Sequence, residues 1–588
     1  MSKTNFKTKW SFNGLYKSLN DPQIEKDFKD LESAEKKFAK KYSKDKKFLE
    51  NPKSLKEALD LSFKISGMPG SVKPIRYFSL QKESGNKDPQ IDKKINQYIA
   101  RGKKIAALTL FFDLELGKVS KEQQSKFIKS KELEEYKYFL ERFFLESKHQ
   151  LSEPEEKILM MKSNVSSGMW VDGVEKSLYK KTVNFKNKEL PLPEASSIYP
   201  GMETKDRREL FNKVMEACKS VGDFAESEIN AVYTNKKIND ELRGFKNPYS
   251  ATIMGYENDE KRIIDFVNLV TKNFKIAHKF HKLKKKVLRL SHLEYADRSA
   301  DIGKINKKFD FETSTKMLLE TFENVDPEFS EILERFLNNG QIDVFPKAGK
   351  TGGAFCSSNT NVPTVVMLNH TDDFNSLNTF AHEMGHAIHG EFSKKQPVQY
   401  EGYTISVAET ASTLFENLLF DKVFESLNDK EKVIALHDKI QGNIASIFRQ
   451  IACFNFENEL HRTIREQGYA DQNEIANILN KNMKAYLGPD FKLKELDGYF
   501  FVQWSHIRRP FYVYSYAFGE LISAALYEEY KRDKKFIDKI KKFLSAGGSK
   551  SPYHIFKDAG IDINNIKFFE LGLKKIEKDI DKLAKLIK

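Results

Sequence analysis

The chain has 588 residues, 40% of them hydrophobic and 31% charged, and its 46 Phe and 23 Tyr exclude extended disorder and allow a large core. The net charge of +14 arises from 98 basic and 84 acidic residues interleaved along the sequence, and no aromatic-basic motif accompanies it, which speaks against a nucleic-acid partner. No apolar run reaches membrane-spanning length, none follows the basic residues near the amino terminus, and Cys218, Cys356 and Cys453 lack both disulfide-framework and thiolate-metal spacing. The expected setting is the cytoplasm, with no membrane association.

Helical periodicity dominates the chain, and amphipathic helices are expected over 33–42, 92–115, 131–148, 207–234, 259–289 and 429–465. The turn-rich LPLPEASSIYPG at 190–201 reads as a boundary between an amino-terminal helical part and the remainder. HKLKKKVLR, from His281, and the final KKIEKDIDKLAKLIK read as wet helix faces. Residues 340–370 break the helical pattern. Gly349, Gly352 and Gly353 lead into GGAFCSS, a short strand, and NVPTVVMLNH supplies a second, β-branched one. A small sheet is therefore expected just ahead of residue 381.

That residue opens the stretch AHEMGHAIHG, 381–390. On a helix, residues four apart share a face, so His382 and His386 present two imidazoles to one cation while Glu383, about a quarter-turn round, reaches a water on it. Asn375 and Ser376 are N-cap candidates for this helix, and Phe380, Ala381, Met384 and Ala387 supply its packing face. A catalytic zinc needs a third protein ligand and an open fourth position. The pattern HExxHxxGxxH would need Gly at 389 and His at 392, where the chain has His389 and Phe392, so that class is excluded. The third ligand is then sought on a second helix. YEGYTISVAETASTLFENLLF offers Glu401, Glu409 and Glu416. Glu409 sits among Val407, Ala408, Ala411 and Leu414, small enough for close helix approach, and ranks first. Glu416, two turns on, is the supporting acid, and Glu401 precedes Gly402 in a loop.

HEMGHAIHG followed by SVAETASTLFENLL resembles the oligoendopeptidase F group of the thimet-oligopeptidase-like metallopeptidases. The likeness extends to GGAFCSS with VVMLNH, to WSHIRRPFYVYSYAFG, and to HQLSEPEEKILMMKSNVSSGMW and SEINAVYTNKKINDELRGF, covering the chain from about residue 110. It implies a mostly α, elongated helical metallopeptidase with a deep substrate channel and a small β-sheet beside the HExxH helix. The division it implies is a helical region at 1–110, a second helical domain at 111–195 and a catalytic domain at 196–588. One Zn2+ per chain would be held by His382, His386 and Glu409, with Glu383 as general base and His506, Tyr512 and Tyr516 in the segment that supplies donors to the tetrahedral intermediate. Short peptides would be cleaved at internal bonds.

Gly353, Ala354 and Phe355, as an exposed strand edge, would bind the peptide backbone by strand addition. Members often carry aromatics just after the histidine, where this chain has Arg508 and Arg509, so side-chain preference does not carry over. Either arginine would suit the terminal carboxylate of a carboxypeptidase substrate, which is the alternative reading. A non-catalytic peptide binder is a further one, against which Glu383 speaks.

Overall fold

The computed structural model describes residues 6–359 and 361–587, and among them helices predominate. Strands form a two-stranded hairpin, Thr182–Phe185 with Lys188–Pro191, and one three-stranded sheet. The chain forms two compact units, each assembled from three stretches: Met1–Met160, Lys307–Glu425 and Ser523–Ile561 in the first, Met161–Asn306, Ser426–Ile522 and Asp562–Lys588 in the second. The expected boundary at 190–201 lies inside the second unit, where Leu192–Ile198 is a short helix with Leu192 and Ala195 buried.

In the first unit the amino-terminal helices Pro22–Tyr42, Pro52–Ser66 and Pro69–Glu83 each begin with proline, whose fixed φ suits the first helical position. Asp21 and Asn51 cap the first two through side-chain oxygens. Helices Pro22–Tyr42, Pro69–Glu83 and Gln90–Gly117 bury Phe28, Tyr77, Phe78 and Tyr98 in the same core as Val362, Val365 and Met367 of the sheet. The Trp10 Nε1–H donates to Val366 O at 2.8 Å. The first hundred residues, which carry no signal of their own in the sequence, therefore cover the sheet. Its central strand is Val362–Met367, paired in parallel with Ile342–Asp343 and antiparallel with Phe355–Asn359. The expected helix at 131–148 is shorter, since a 3₁₀ turn at Lys131–Tyr136 precedes helix Lys137–Glu146.

Two expected helices of the second unit are each broken once. Residues 207–234 fall in Thr204–Lys219 and Gly222–Leu242, and residues 259–289 in Glu260–Lys272 and Lys275–Val287. At the first break Gly222 opens the second helix, where a Cβ would lie 2.1 Å from Gln472 Oε1. Residues 429–465 instead run through a π turn, Ile444–Arg449, between Asp429–Asn443 and Gln450–Gln467. The stretch from His281 is not uniformly wet. His281 and Lys284 are buried, with Lys284 Nζ donating to Arg298 O at 2.9 Å and His281 Nδ1 3.0 Å from Leu487 O.

Candidate active site

The motif lies on helix Phe374–Ser393, packed against helix Ile405–Glu425 and flanked by the sheet in the first unit. The cap is Asp373, whose Oδ1 accepts the Ser376 N–H at 2.7 Å. Asn375 and Ser376, expected as caps, fall in the first turn, and the Ser376 hydroxyl instead accepts the Thr371 N–H at 3.0 Å. Buried Leu377, Phe380, Ala381, Met384, Ala387, Ile388 and Phe392 form one apolar stripe along the motif helix and leave His382 and His386 on another face. Each such large side chain contributes roughly 1.5–3 kcal/mol. Phe380 stacks on Phe311, and Phe392 meets Phe329, which also contacts Phe415 of the partner helix.

Where the two helices cross, a Cβ on Gly385 would stand 2.7 Å from Ser412 Cα and 3.1 Å from Phe415. The backbones therefore touch, and Glu409, one turn before Ser412, reaches the histidine face. One donor atom from each of His382, His386 and Glu409 lies within 4.8 Å of the others. The two imidazole rings are 4.8 Å apart and nearly perpendicular, and His382 Nε2 is 3.8 Å from Glu409 Oε2. Glu416 hydrogen-bonds His382 Nδ1. A carboxylate there fixes the Nδ1–H tautomer and leaves the Nε2 lone pair for a cation. Glu401, at the end of helix Val398–Glu401, is outside the donor group. His389 is buried and stacked on Tyr403 with ring centroids 3.8 Å apart, also outside it.

Burial opposes charge on His382, yet Glu416, Glu383 and Glu409 outweigh it and hold this imidazole up at about 10. Burial pushes Glu383 up to about 7 and raises Glu409 as well, while burial and then the charge on His382 drive His386 down. Carboxylates crowded beside a histidine that protonation alone must neutralise make a costly arrangement, which one divalent cation relieves. Glu383 is only 6% exposed. Its carboxylate faces the Cys356 N–H, and its Oε2 has no hydrogen-bond partner among the described residues. Two imidazoles and one carboxylate, with a second acid fixing a tautomer and a buried free carboxylate oxygen alongside, fit Zn2+ with a position left open.

Of the expected substrate edge, only Phe355 lies within the strand Phe355–Asn359. Gly353 precedes it in a left-handed conformation with its carbonyl accepting from Asn369 Nδ2 at 2.7 Å, and Ala354 joins the two. The Phe355 ring packs on Trp10, 6.0 Å between centroids.

The remaining expected residues lie in the second unit. His506, in the 3₁₀ turn Ser505–Arg508, has its ring centroid 5.8 Å from Tyr512 and 5.8 Å from Tyr516, and the tyrosines are 5.7 Å apart. Burial, helped by Arg449, lowers His506 to about 4, so its imidazole is neutral. Tyr514 is a core residue, fully buried with its hydroxyl accepting from Asn258 Nδ2 at 3.1 Å. Arg508 does not face outward to meet a substrate carboxylate. Its guanidinium is bidentate to buried Glu228, with Nε–Oε1 2.9 Å and Nη2–Oε2 2.6 Å, and its other N–H groups donate to the carbonyls of Phe501, Val502 and Trp504. Arg509 is exposed, its guanidinium 5.0 Å from the Tyr512 ring. Sequence reading passed over Glu228, which stands 280 positions from its partner and carries no local signal.

A helix bearing two imidazoles four residues apart with an acid between them, and a carboxylate from a neighbouring helix, defines a metallopeptidase. The profile described as "Peptidase family M3" matches residues 202–574, and that described as "Oligopeptidase F" matches residues 115–172. The chain belongs to peptidase family M3. It is 27% identical to an oligoendopeptidase F homolog of Borreliella burgdorferi, over 97% of this chain and 98% of that one, and 26% identical to the oligopeptidase PepF of Bacillus subtilis, over 92% and 82%. Its fold matches the crystal structure of oligoendopeptidase-F from Enterococcus faecium with a TM-score of 0.73 at 18% identity, covering 96% of this chain and 99% of that one.

Proposed function

We propose that the chain is a zinc-dependent oligoendopeptidase that cleaves internal bonds of short, unfolded peptides. The observation that supports this most directly is the buried Glu383 carboxylate, its Oε2 unpartnered among the described residues, between His382 and His386 with Glu409 beside them. His382, His386 and Glu409 would hold the Zn2+, which would supply the Lewis acidity that makes water a nucleophile at neutral pH. Glu383 takes the proton from the attacking water and returns it to the departing amine. Glu416 keeps His382 in its metal-binding tautomer. The resemblance assigns His506 with Tyr512 or Tyr516 as donors to the developing oxyanion. A neutral imidazole and a phenol that burial holds in its protonated form have the right chemistry for that role. The backbone at Gly353, Ala354 and Phe355 would take the peptide by strand addition. Cys218, Cys356 and Cys453 are free thiols, and no helix among the described residues is long and apolar enough to cross a membrane, in keeping with a cytoplasmic enzyme.

The carboxypeptidase reading now depends on Arg509, since Arg508 is committed to Glu228. Both readings are tested by mass spectrometry of a peptide mixture of graded length, with free and amidated carboxyl ends, with and without a chelator. Internal cuts in peptides of roughly five to twenty residues, indifferent to amidation, abolished by chelation and restored by Zn2+, are expected. The same peptide inside a stable folded domain should survive, because exposing it costs about 5–15 kcal/mol. Cleavage that persists in chelator, or that removes only the last residue of free-ended peptides, would overturn the proposal.

A further inference from the structure

The segment from His506 to Tyr512 belongs to no long helix or strand, so hydrogen bonds of regular structure do not fix it. Its conformation is nonetheless tightly specified. Phe511 has φ +61°, the left-handed region, and is the one aromatic among the described non-glycine residues with positive φ. A bulky side chain persists there only where its surroundings leave no alternative. Three contacts supply that constraint, each from a different helix of the same unit. Glu228, on Gly222–Leu242, takes the Arg508 guanidinium; Thr252, on Ser250–Gly255, donates its hydroxyl to Pro510 O at 3.0 Å; and Glu457, on Gln450–Gln467, accepts the Phe511 N–H at 2.9 Å. Glu228 and Glu457 are both fully buried. Glu457 Oε2 has no partner among the described residues, so the fold keeps a costly carboxyl at a place where one acceptor is used. The Phe511 ring is clamped as well, stacked on His461 at 5.0 Å and against Phe454 at 5.1 Å.

We propose that Glu228 and Glu457 are positioning residues. By holding Arg508 and the Phe511 amide, they fix the backbone between His506 and Tyr512 in the conformation that groups His506, Tyr512 and Tyr516. This rests on the proposed donor role of His506 and adds that the donors are set by two buried acids that never meet the substrate.

The test compares zinc-loaded full-length variants. Glu457→Leu fills the space but removes the acceptor, and kcat should fall about 10- to 100-fold with KM changed less than about threefold, the scale of loss from misplacing a reacting group by about an ångström. Glu457→Gln keeps a carbonyl acceptor and should stay within about threefold of wild type in kcat. Deuterium uptake by peptides spanning 505–516 should rise in the leucine variant and not in the glutamine variant. Glu228→Leu combined with Arg508→Met removes the ion pair without leaving a buried charge, and should lower kcat in the same way. The double variant also answers the case in which Glu457→Leu does not fold.

His506→Ala is the reference. If it costs kcat while Glu457→Leu and the double variant retain wild-type turnover, the positioning role is overturned and the donor reading stands. If His506→Ala turns over normally, the donor reading itself fails. Equal losses in Glu457→Gln and Glu457→Leu would also overturn the inference, since the acceptor would then be irrelevant.

Discussion

His382 and His506 are both half-buried histidines to which we assign chemistry, and the molecule holds them by opposite means. His382 stands on a regular helix, where the pitch alone aligns it with His386 and sets Glu383 between them. Its outside partners, Glu409 and Glu416, come from the next long helix, within 34 residues. His506 stands on a brief 3₁₀ turn, and the backbone after it is pinned by groups 54 to 280 residues distant. A donor set that must meet one small cation is served by helix periodicity and one close crossing. A donor on irregular backbone needs anchors from several elements, and two of the three here are buried acids.

The sharpest break of the first arrangement is Glu383→Gln. It removes the proposed base and leaves the proposed ligands, so kcat should fall by about 10³-fold or more with metal content unchanged by elemental analysis. Glu409→Ala should weaken zinc affinity by at least about 100-fold in competition with a chromophoric chelator, with Glu401→Ala equal to wild type. Equal affinities in the two would remove Glu409 from the shell. For the second arrangement, His506→Ala should lower kcat by about 100-fold and leave metal affinity intact, which separates the two sets of residues by readout. Glu416→Gln should cost roughly tenfold in zinc affinity, because the tautomer of His382 is no longer held by a charge. The smallest effect is expected at the crossing. Gly385→Ala drives a methyl into Ser412 and should lower stability by about 1–3 kcal/mol in denaturant unfolding, with a small accompanying loss of zinc affinity as Glu409 is displaced.

The difference between the two regions also governs what could be read from the sequence. HEMGH, the strands around 355–359 and 362–367, and the Glu409 helix are local patterns, visible as spacing or as a β-branched run. Glu409 could be ranked above Glu401 because Ala408 and Ala411 announced a close helix contact, although the glycine that makes the contact, Gly385, was read only as part of the motif. Arg508 was open to misreading because a guanidinium next to a catalytic segment looks the same in sequence whether it faces a substrate or Glu228. The two helix breaks near 220 and 273 had no proline to mark them. At Gly222 the nearest side chain is that of Gln472, a tertiary contact with no local signal. Residues before 110 were silent because covering a sheet requires only apolar faces, which any amphipathic helix offers.

The interleaving of the two units sets a timetable for synthesis. Phe543, in the last stretch of the first unit, packs 5.5 Å from His389 of the motif helix. At roughly 5–20 residues per second, the motif helix is made roughly ten to thirty seconds before that cover exists. For this interval the apolar stripe of the motif helix waits on the nascent chain without its last cover. A ribosome that stopped at residue 522 would release a chain with neither unit complete, since the last stretch of each lies beyond that point.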